Sequence, residues 1–259
     1  MDFTVIIPAR LNSTRLPRKV LSDIHGKPMI QHVYERAVES GASRVIIAAD
    51  NEEIISACEK FHANACLTSI EHQSGTERIA EVVANEGYDT DEIIIGLQAD
   101  EPLMPPQLIR QLAENLAADE HVKVGTFSEK ITNSADLFNP NIVKVVFNYR
   151  QYAMYFSRAP IPWDREWNKL SGIRDQGSGI DMDSHSHYRH IGIYGYRAGF
   201  LETYVNWPPC QSELLESLEQ LRILWNGFKI HVGVTDLHVP AGIDTAEGLE
   251  VVRKFLKKH

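Results

Sequence analysis

The stretch that decides the fold is Phe3–Ile7 (FTVII), a short apolar run followed by a polar loop. Further apolar runs lie at Val45–Ile47, Ala65–Leu67 and Ile93–Leu97, and amphipathic helical patterns separate them. Continuous apolar strands that alternate with such helices indicate a mainly parallel sheet covered on both faces. We therefore predict an α/β fold with a mainly parallel central sheet flanked by helices.

The helical segments follow from apolar residues spaced three and four apart. Asp50 or Asn51 is predicted to cap the second helix. The predicted helices cover 28–40, about 52–61, 76–85, 106–116 and 212–225, and a last helix begins at Ala246.

The pattern changes between residues 139 and 197. Val143–Phe147 and Tyr152–Phe156 are separated by four residues, a spacing typical of a β-hairpin, and 191–196 is predicted to be extended. The polar stretch 164–187 between them predicts a mobile loop. We predict one domain over 1–259 whose appended hairpin lobe, 139–197, is a candidate for dimer contacts.

The composition of the 259 residues is that of an ordinary globular protein, with 43% apolar and 24% charged residues. A net charge of −9 argues against general binding to nucleic acid or to anionic membranes. The sequence contains no apolar stretch near the ~20 residues of a membrane helix. Three cysteines without a CxxC pair, and an amino terminus unlike a secretory signal, predict a cytoplasmic protein.

The loop after the first strand, residues 8–27, concentrates positive charge in an acidic chain. It carries Arg10, Arg15, Arg18, Lys19 and Lys27. Ligands of open α/β sheets bind beyond the carboxyl ends of the strands, and cations there suit a triphosphate. A solvated basic loop is the alternative, and the loop matches neither a P-loop nor a dinucleotide-binding motif.

Two aspartates are candidates for a metal site. Asp100 follows the strand Ile93–Leu97, and magnesium in proteins takes one or two carboxylates together with water and substrate phosphates. The alternative for Asp100 is a simple turn before the next helix. The spacing Asp244-x-x-Glu247 by itself favours helix capping.

Other polar motifs are weaker signals. The loop 72–78 (HQSGTER) enters a helix, whose amide groups could read a base or bind an anion, although an ordinary helix start is the competing interpretation. His185, His187 and His190 do not predict zinc, because no cysteine lies near them. No nucleophile with a paired base emerges, which agrees with transfer at phosphorus, where positioning and charge neutralisation dominate.

Taken together, the motifs resemble the 3-deoxy-manno-octulosonate (Kdo) cytidylyltransferase family over essentially the whole chain. They are 5–10 (VIIPAR), 13–17 (STRLP) with Lys19, 26–30 (GKPMI), 72–78, 98–102 (QADEP), 155–158 (YFSR), 161–165 (IPWDR), 189–194 (RHIGIY), 218–222 (LEQLR) and Asp244-Thr245. The opening loop indicates a sugar nucleotidyltransferase, and the motifs at 72–78 and 190–194 make the resemblance specific.

The resemblance implies transfer of CMP from CTP to Kdo, with release of pyrophosphate, for lipopolysaccharide biosynthesis by a magnesium-dependent homodimer. It implies catalytic roles for Arg10, Lys19, Asp100 and Asp244, the two aspartates being metal ligands, so that capping becomes at most a second duty of Asp244. The implied nucleotide-binding residues are Pro8, Ala9, Arg10, Ser13, Arg15, Lys19, Ser74, Gly75, Arg78, Gln98 and Asp100. The implied sugar-binding residues are Arg158, His190, Tyr194, Glu219 and Gln220.

The sequence departs from the family pattern in a few places. Arg18 and Ala99 stand where the family usually has glycine, Ala246 and Gly248 replace a proline and an aspartate, and the loop 166–188 is longer than usual. These differences put the identity of the sugar in question. The alternatives are another acidic sugar, such as 8-amino-Kdo or a sialic-type acid, a glycosyltransferase of similar architecture, or a non-catalytic nucleotide-binding protein. The absence of an Asp-x-Asp motif after Ile93–Leu97 counts against the glycosyltransferase.

Overall fold

A computed structural model describes residues 1–13, 15–165 and 186–257, which divide into two compact units. The first unit comprises Met1–His121, Ile193–Asn206 and Val239–His259, and the second comprises Val122–Gly192 and Trp207–His238. The predicted loop 164–187 lies almost entirely outside the described residues.

The first unit is built on a sheet that begins with the stretch Phe3–Ile7. Its elements are β1 (Thr4–Ala9), β2 (Asp23–Ile24), β3 (Lys27–Pro28), α1 (Met29–Glu39), β4 (Arg44–Ala49), α2 (Glu52–Glu59), β5 (Ala65–Leu67), α3 (Gly75–Glu86), β6 (Ile93–Gly96), α4 (Pro106–Ala118), the second half of β10 (Tyr188–Arg197), α6 (Ala198–Val205) and α9 (Ala246–Leu256). The order β10-β6-β1-β4-β5 is parallel from β6 to β5, and β10 runs antiparallel to β6.

The second unit contains a further parallel pair and the predicted hairpin. Its elements are β7 (Val124–Lys130), α5 (Ser134–Phe138), β8 (Lys144–Phe147), β9 (Ala153–Ser157), the first half of β10, α7 (Gln211–Glu216), α8 (Gln220–Trp225) and β11 (Ile230–Thr235). Strands β7 and β11 are parallel, and β8 pairs antiparallel with both β9 and β10. The predicted α/β fold with a mainly parallel sheet flanked by helices is confirmed, and the antiparallel pairs make the sheet mixed.

Burial explains why the strands of the first unit contain so few polar residues. Ile6, Ile7, Ile47, Ile94 and Ile95 are all fully buried, as expected for strands covered on both faces. No helix in the described part of the chain has the length and apolar character needed to span a bilayer.

A separate apolar cluster fixes the carboxyl-terminal helix of the first unit. Ile24, Met29, Ile243, Leu249 and Val252 are buried together, and Leu16, Leu103 and Leu256 pack against them. Because Leu16 belongs to the basic loop and Ile243 precedes Asp244, this cluster places both segments of the candidate site.

The predicted helix 212–225 is wrong, because the chain forms two short helices there. Ser217 has φ 52° and ψ 51°, a left-handed conformation that ends α7, and α8 starts at Gln220. A bidentate ion pair then joins the two helices, since Arg222 donates to both carboxylate oxygens of Glu213 at 2.5 and 2.8 Å. The break could not be predicted because the apolar periodicity continues through it.

Smaller differences concern helix ends and short elements. Pro28 is the N-cap of α1 and not its first residue, and Asn51, not Asp50, caps α2 by accepting a hydrogen bond from the Glu53 amide. Helix α6 and the short elements α5, β2 and β3 were not predicted from the sequence.

Candidate active site

The basic loop begins where β1 ends. Arg10 is exposed directly after Ala9, and the Leu11 amide donates a 2.9 Å hydrogen bond to the Asp50 carboxylate at the end of β4. A 3-10 turn, Lys19–Leu21, lies within the loop, and its N-cap Arg18 has a left-handed backbone with φ 56°. Ser13 and Arg15 lie within this loop, and Thr14 is outside the described residues.

Two aspartates from distant parts of the chain converge on one ammonium group of this loop. The Lys19 Nζ lies 2.6 Å from Asp100 Oδ2 and 2.9 Å from Asp244 Oδ1. Arg15 binds the other oxygen of Asp244 at 3.0 Å, and the Ile243 amide donates to the Asp100 carbonyl at 2.8 Å. The fold therefore brings the carboxyl end of β6 and the start of α9 to the basic loop.

Asp244 does not cap α9. Thr245 is the N-cap, and its hydroxyl accepts a hydrogen bond from the Gly248 amide. The capping interpretation drawn from the spacing Asp244-x-x-Glu247 is therefore wrong, because the cap lies one residue later. The Asp244 carboxylate is left to bind Lys19 and Arg15.

The start of α3 approaches the end of β1 closely at Gly75. A Cβ at Gly75 would lie 3.1 Å from Pro8 Cγ, a tight contact that would require a small shift, and at the ordinary contact distance of 3.5 Å from Gln98 Nε2. Ser74 caps this helix by accepting a hydrogen bond from the Glu77 amide. Pro8, Ser74, Gly75 and Gln98 are thus brought together.

Arg78 is buried and bound to protein atoms. Its guanidinium donates to the Thr68 hydroxyl at 2.5 Å and to the Ser69 carbonyl at 3.0 Å, and it lies 4.0 Å from the Asp50 carboxylate. Burial lowers its pKa. Sequence reasoning missed Asp50 in this role, although its place at the carboxyl end of a parallel strand was a usable signal.

Four of the five predicted sugar-binding residues lie in the second unit. Arg158 donates to the carbonyls of Glu216, Pro140 and Ser217, while its amide donates to the Glu216 carboxylate. The described structure places Glu219 at the N-cap of α8 and the buried Gln220 at its first residue. These contacts bring the end of β9 to the turn between α7 and α8.

His190, also in the second unit, is held as a neutral imidazole. Its Nε2 lies 3.0 Å from the Thr126 hydroxyl, and its ring meets Phe156 edge-on. Burial lowers its pKa to about 3. Tyr194 belongs to the first unit, where it is buried on β10 and stacks on Tyr196.

The described histidines form no group that could hold a metal ion. His187 is buried, with its Nε2 3.1 Å from the Pro162 carbonyl, and His185 lies outside the described residues. In the part of the chain that the structure describes, no group of three or more His, Cys, Asp or Glu could hold an ion.

Comparisons with known proteins show the family to which the chain belongs. The family model described as Cytidylyltransferase matches residues 4–230. A 3-deoxy-manno-octulosonate cytidylyltransferase of Coxiella burnetii (strain Dugway 5J108-111) is 54% identical over 256 residues, which is 98% of this chain and all of that protein. The chain belongs to the 3-deoxy-manno-octulosonate cytidylyltransferase family.

Other members of the 3-deoxy-manno-octulosonate cytidylyltransferase family match over nearly their full length. The protein of Pasteurella multocida (strain Pm70) is 53% identical, with 99% of both chains covered. A solved structure of a CMP:2-keto-3-deoxy-manno-octonic acid synthetase complexed with CTP is 37% identical, with a TM-score of 0.88 over 100% of this chain and 99% of that chain. A Leptospira borgpetersenii cytidylyltransferase, 15% identical with a TM-score of 0.63, supports the fold alone.

The structure shows the surroundings of three residues that depart from the family pattern, Arg18, Ala99 and Gly248. Arg18 adopts the left-handed backbone that suits the usual glycine, and its guanidinium pairs with Glu53 of α2. Ala99 is buried beside Asp100, and Gly248 bonds through its amide to the cap residue Thr245. None of these changes removes a side chain of the Lys19, Asp100 and Asp244 cluster.

Proposed function

We propose that this chain transfers CMP from CTP to the anomeric hydroxyl of Kdo and releases pyrophosphate, the reaction that supplies CMP-Kdo for lipopolysaccharide biosynthesis. The observation that carries the proposal is the cluster of Asp100, Lys19 and Asp244 at the carboxyl edge of the sheet. Relatives named for this activity, 52–54% identical over nearly the full length, support it.

The donor set of the cluster fits magnesium. Asp100 and Asp244 already share one cation, the ammonium of Lys19. The described residues contain no group of three or more possible metal ligands. A pair of carboxylates is the number of protein ligands that magnesium commonly takes. Asp100 and Asp244 would hold the ion. When bound, it would neutralise charge that develops at the phosphate and favour deprotonation of the attacking hydroxyl.

The residues of the first unit would bind and orient the nucleotide. Arg10, Arg15 and Lys19 supply positive charge for the triphosphate, and stabilise the departing pyrophosphate by electrostatic attraction. Ala9, the last residue of β1, and Ser13, in the basic loop, would also contribute to nucleotide binding. Pro8, Ser74, Gly75 and Gln98 form the surface proposed to hold the nucleoside. Arg78 acts by fixing this surface to Asp50 and Thr68.

The sugar would be bound by Arg158, His190, Tyr194, Glu219 and Gln220. The lowered pKa of His190 keeps its imidazole neutral, so that it offers a hydrogen bond without charge. Another acidic sugar, such as 8-amino-Kdo or a sialic-type acid, is the nearest alternative substrate, because it would present the same carboxylate.

We further propose that the protein is a cytoplasmic homodimer. Exposed apolar side chains in the second unit, including Met154, Tyr155, Leu214 and Leu215, offer surface for a second copy. All three cysteines are free, which suits a reducing compartment.

Pyrophosphate release in the presence of magnesium tests the proposed reaction. Purified protein is incubated with Kdo and, in turn, CTP, UTP, ATP and GTP, and then with CTP and each alternative sugar. Rapid release only with CTP and Kdo is the expected result. Faster release with a different acidic sugar would transfer the proposal to that substrate, and no release with any pair would contradict it.

A further inference from the structure

Lys19 has a far less exposed side chain than Arg15 and Arg18 of the same basic loop. Its side chain is 12% exposed, whereas those of Arg15 and Arg18 are 66% and 61% exposed. The ammonium is within 2.9 Å of both candidate metal ligands. A cation meant only to meet an incoming triphosphate would not need to be buried between two carboxylates.

The electrostatics of the cluster require a positive charge between the aspartates. Two carboxylates brought together repel each other unless a cation lies between them. An ammonium group and a divalent ion both meet that need, but they cannot occupy the same place between Asp100 and Asp244. Arg15 contacts only the outer oxygen of Asp244 and is mostly exposed, so it compensates less of the charge.

We propose that Lys19 is a place-holder for the metal: its ammonium neutralises Asp100 and Asp244 until the nucleotide arrives, and then moves to the triphosphate. This inference rests on the proposed function and deepens it, because it assigns Lys19 two successive partners. The phosphates of the nucleotide draw the ammonium away, and the same step frees the carboxylates for the divalent ion. The nucleotide therefore precedes tight binding of the metal at this pair.

The exchange can be measured without catalysis, with Mn²⁺ as the probe and no nucleotide present. Replacing Lys19 by methionine keeps the apolar stem and removes the competing charge. We expect Lys19→Met to bind Mn²⁺ about tenfold more tightly than the unaltered protein, as followed by electron paramagnetic resonance at constant ionic strength. Lys19→Gln serves as a second neutral variant, whose folding is checked by circular dichroism.

Two controls make the result specific. Lys27→Met removes an equivalent charge that pairs with Glu35 outside the cluster, and it should leave the affinity for Mn²⁺ unchanged. Adding Asp100→Asn to Lys19→Met should abolish the gain. If folded Lys19→Met or Lys19→Gln binds Mn²⁺ no more tightly than the unaltered protein, the proposal that Lys19 occupies the metal position is wrong. Failure of the proposed reaction would instead be seen as absent pyrophosphate release by the unaltered protein.

Discussion

At the scale of single residues, Gly75 determines how closely the nucleotide-binding segments approach each other. Gly75→Ala would place a methyl group 3.1 Å from Pro8 and 3.5 Å from Gln98. We expect the KM for CTP to rise more than kcat falls, with a loss of about 1 kcal/mol of stability from overpacking. Steady-state kinetics and urea unfolding measure the two effects.

The control for this change is Gly248→Ala in α9. A methyl group there meets nothing closer than 3.6 Å, and alanine favours a helix. The control should therefore keep the KM for CTP and be slightly more stable. An unchanged KM for CTP in Gly75→Ala would refute the role given to the contact between α3 and β1.

His190 makes stability depend on pH with a defined sign. Its pKa is about 3 in the folded protein, against an ordinary value of 6.5. Between these values the unfolded chain binds a proton that the folded protein does not, so stability falls as the pH falls below 6.5. The loss attributable to this residue is about 1.6 kcal/mol between pH 6.5 and pH 5.

Urea unfolding at several pH values, with His190→Gln for comparison, tests this assignment. Glutamine keeps an amide that can bond to Thr126 and does not titrate in this range. The variant should lose less stability than the unaltered protein on going from pH 6.5 to pH 5. Identical pH profiles for the two proteins would contradict the lowered pKa of His190.

At the scale of elements, the 3-10 turn that presents Lys19 begins at a strained residue. Arg18 has φ 56°, a backbone conformation that costs a non-glycine residue about 1 kcal/mol. The exposed ion pair with Glu53 contributes at most about 1 kcal/mol to the stability of the folded protein. Arg18→Gly and Arg18→Ala both remove the pair, but only glycine also removes the strain.

We therefore expect Arg18→Gly to be more stable than Arg18→Ala by about 1 kcal/mol in urea unfolding. Arg110 in α4 provides a matched comparison, since it is exposed and pairs with Glu114. In that helix the order should reverse, with Arg110→Ala more stable than Arg110→Gly. The same order at both positions would contradict the left-handed conformation of Arg18.

Elements with a strong period and a clear end could be predicted from the sequence. The strand predicted near Ala65–Leu67 has those bounds, and the helix predicted over 28–40 ends at Glu39 with Ser40 as its C-cap. The break between α7 and α8 could not, because it depends on a left-handed serine and on a buried ion pair between Glu213 and Arg222 that only the folded chain assembles.

The candidate site divides in the same way. Strand ends locate Arg10 and Asp100, since a buried apolar run that stops at a polar residue marks the edge of the sheet. The spacing around Asp244 wrongly predicted that this residue caps the last helix, because Thr245 is the N-cap. That Lys19 lies between the two aspartates is a property of tertiary structure, because the three residues come from three distant segments.

At the scale of the whole molecule, the cluster depends on the fold to bring residue 100, residue 244 and the first loop together. The apolar packing of Ile24, Met29 and Ile243 with Leu16 holds the last helix and the basic loop in place. Catalysis by a shared pair should therefore fail when either carboxylate is lost, while the buried core remains intact.

The most direct test of this account is the rate of pyrophosphate release from CTP and Kdo by Asp100→Ala, Asp244→Ala and the double variant, with the exposed Asp236→Ala as control. Each single change should cut turnover about a hundredfold or more, about 2.7 kcal/mol of barrier. The double variant should be little slower than either single one, because the two carboxylates act as a unit. Near-normal release by either folded single variant, or losses that multiply in the double variant, would contradict it.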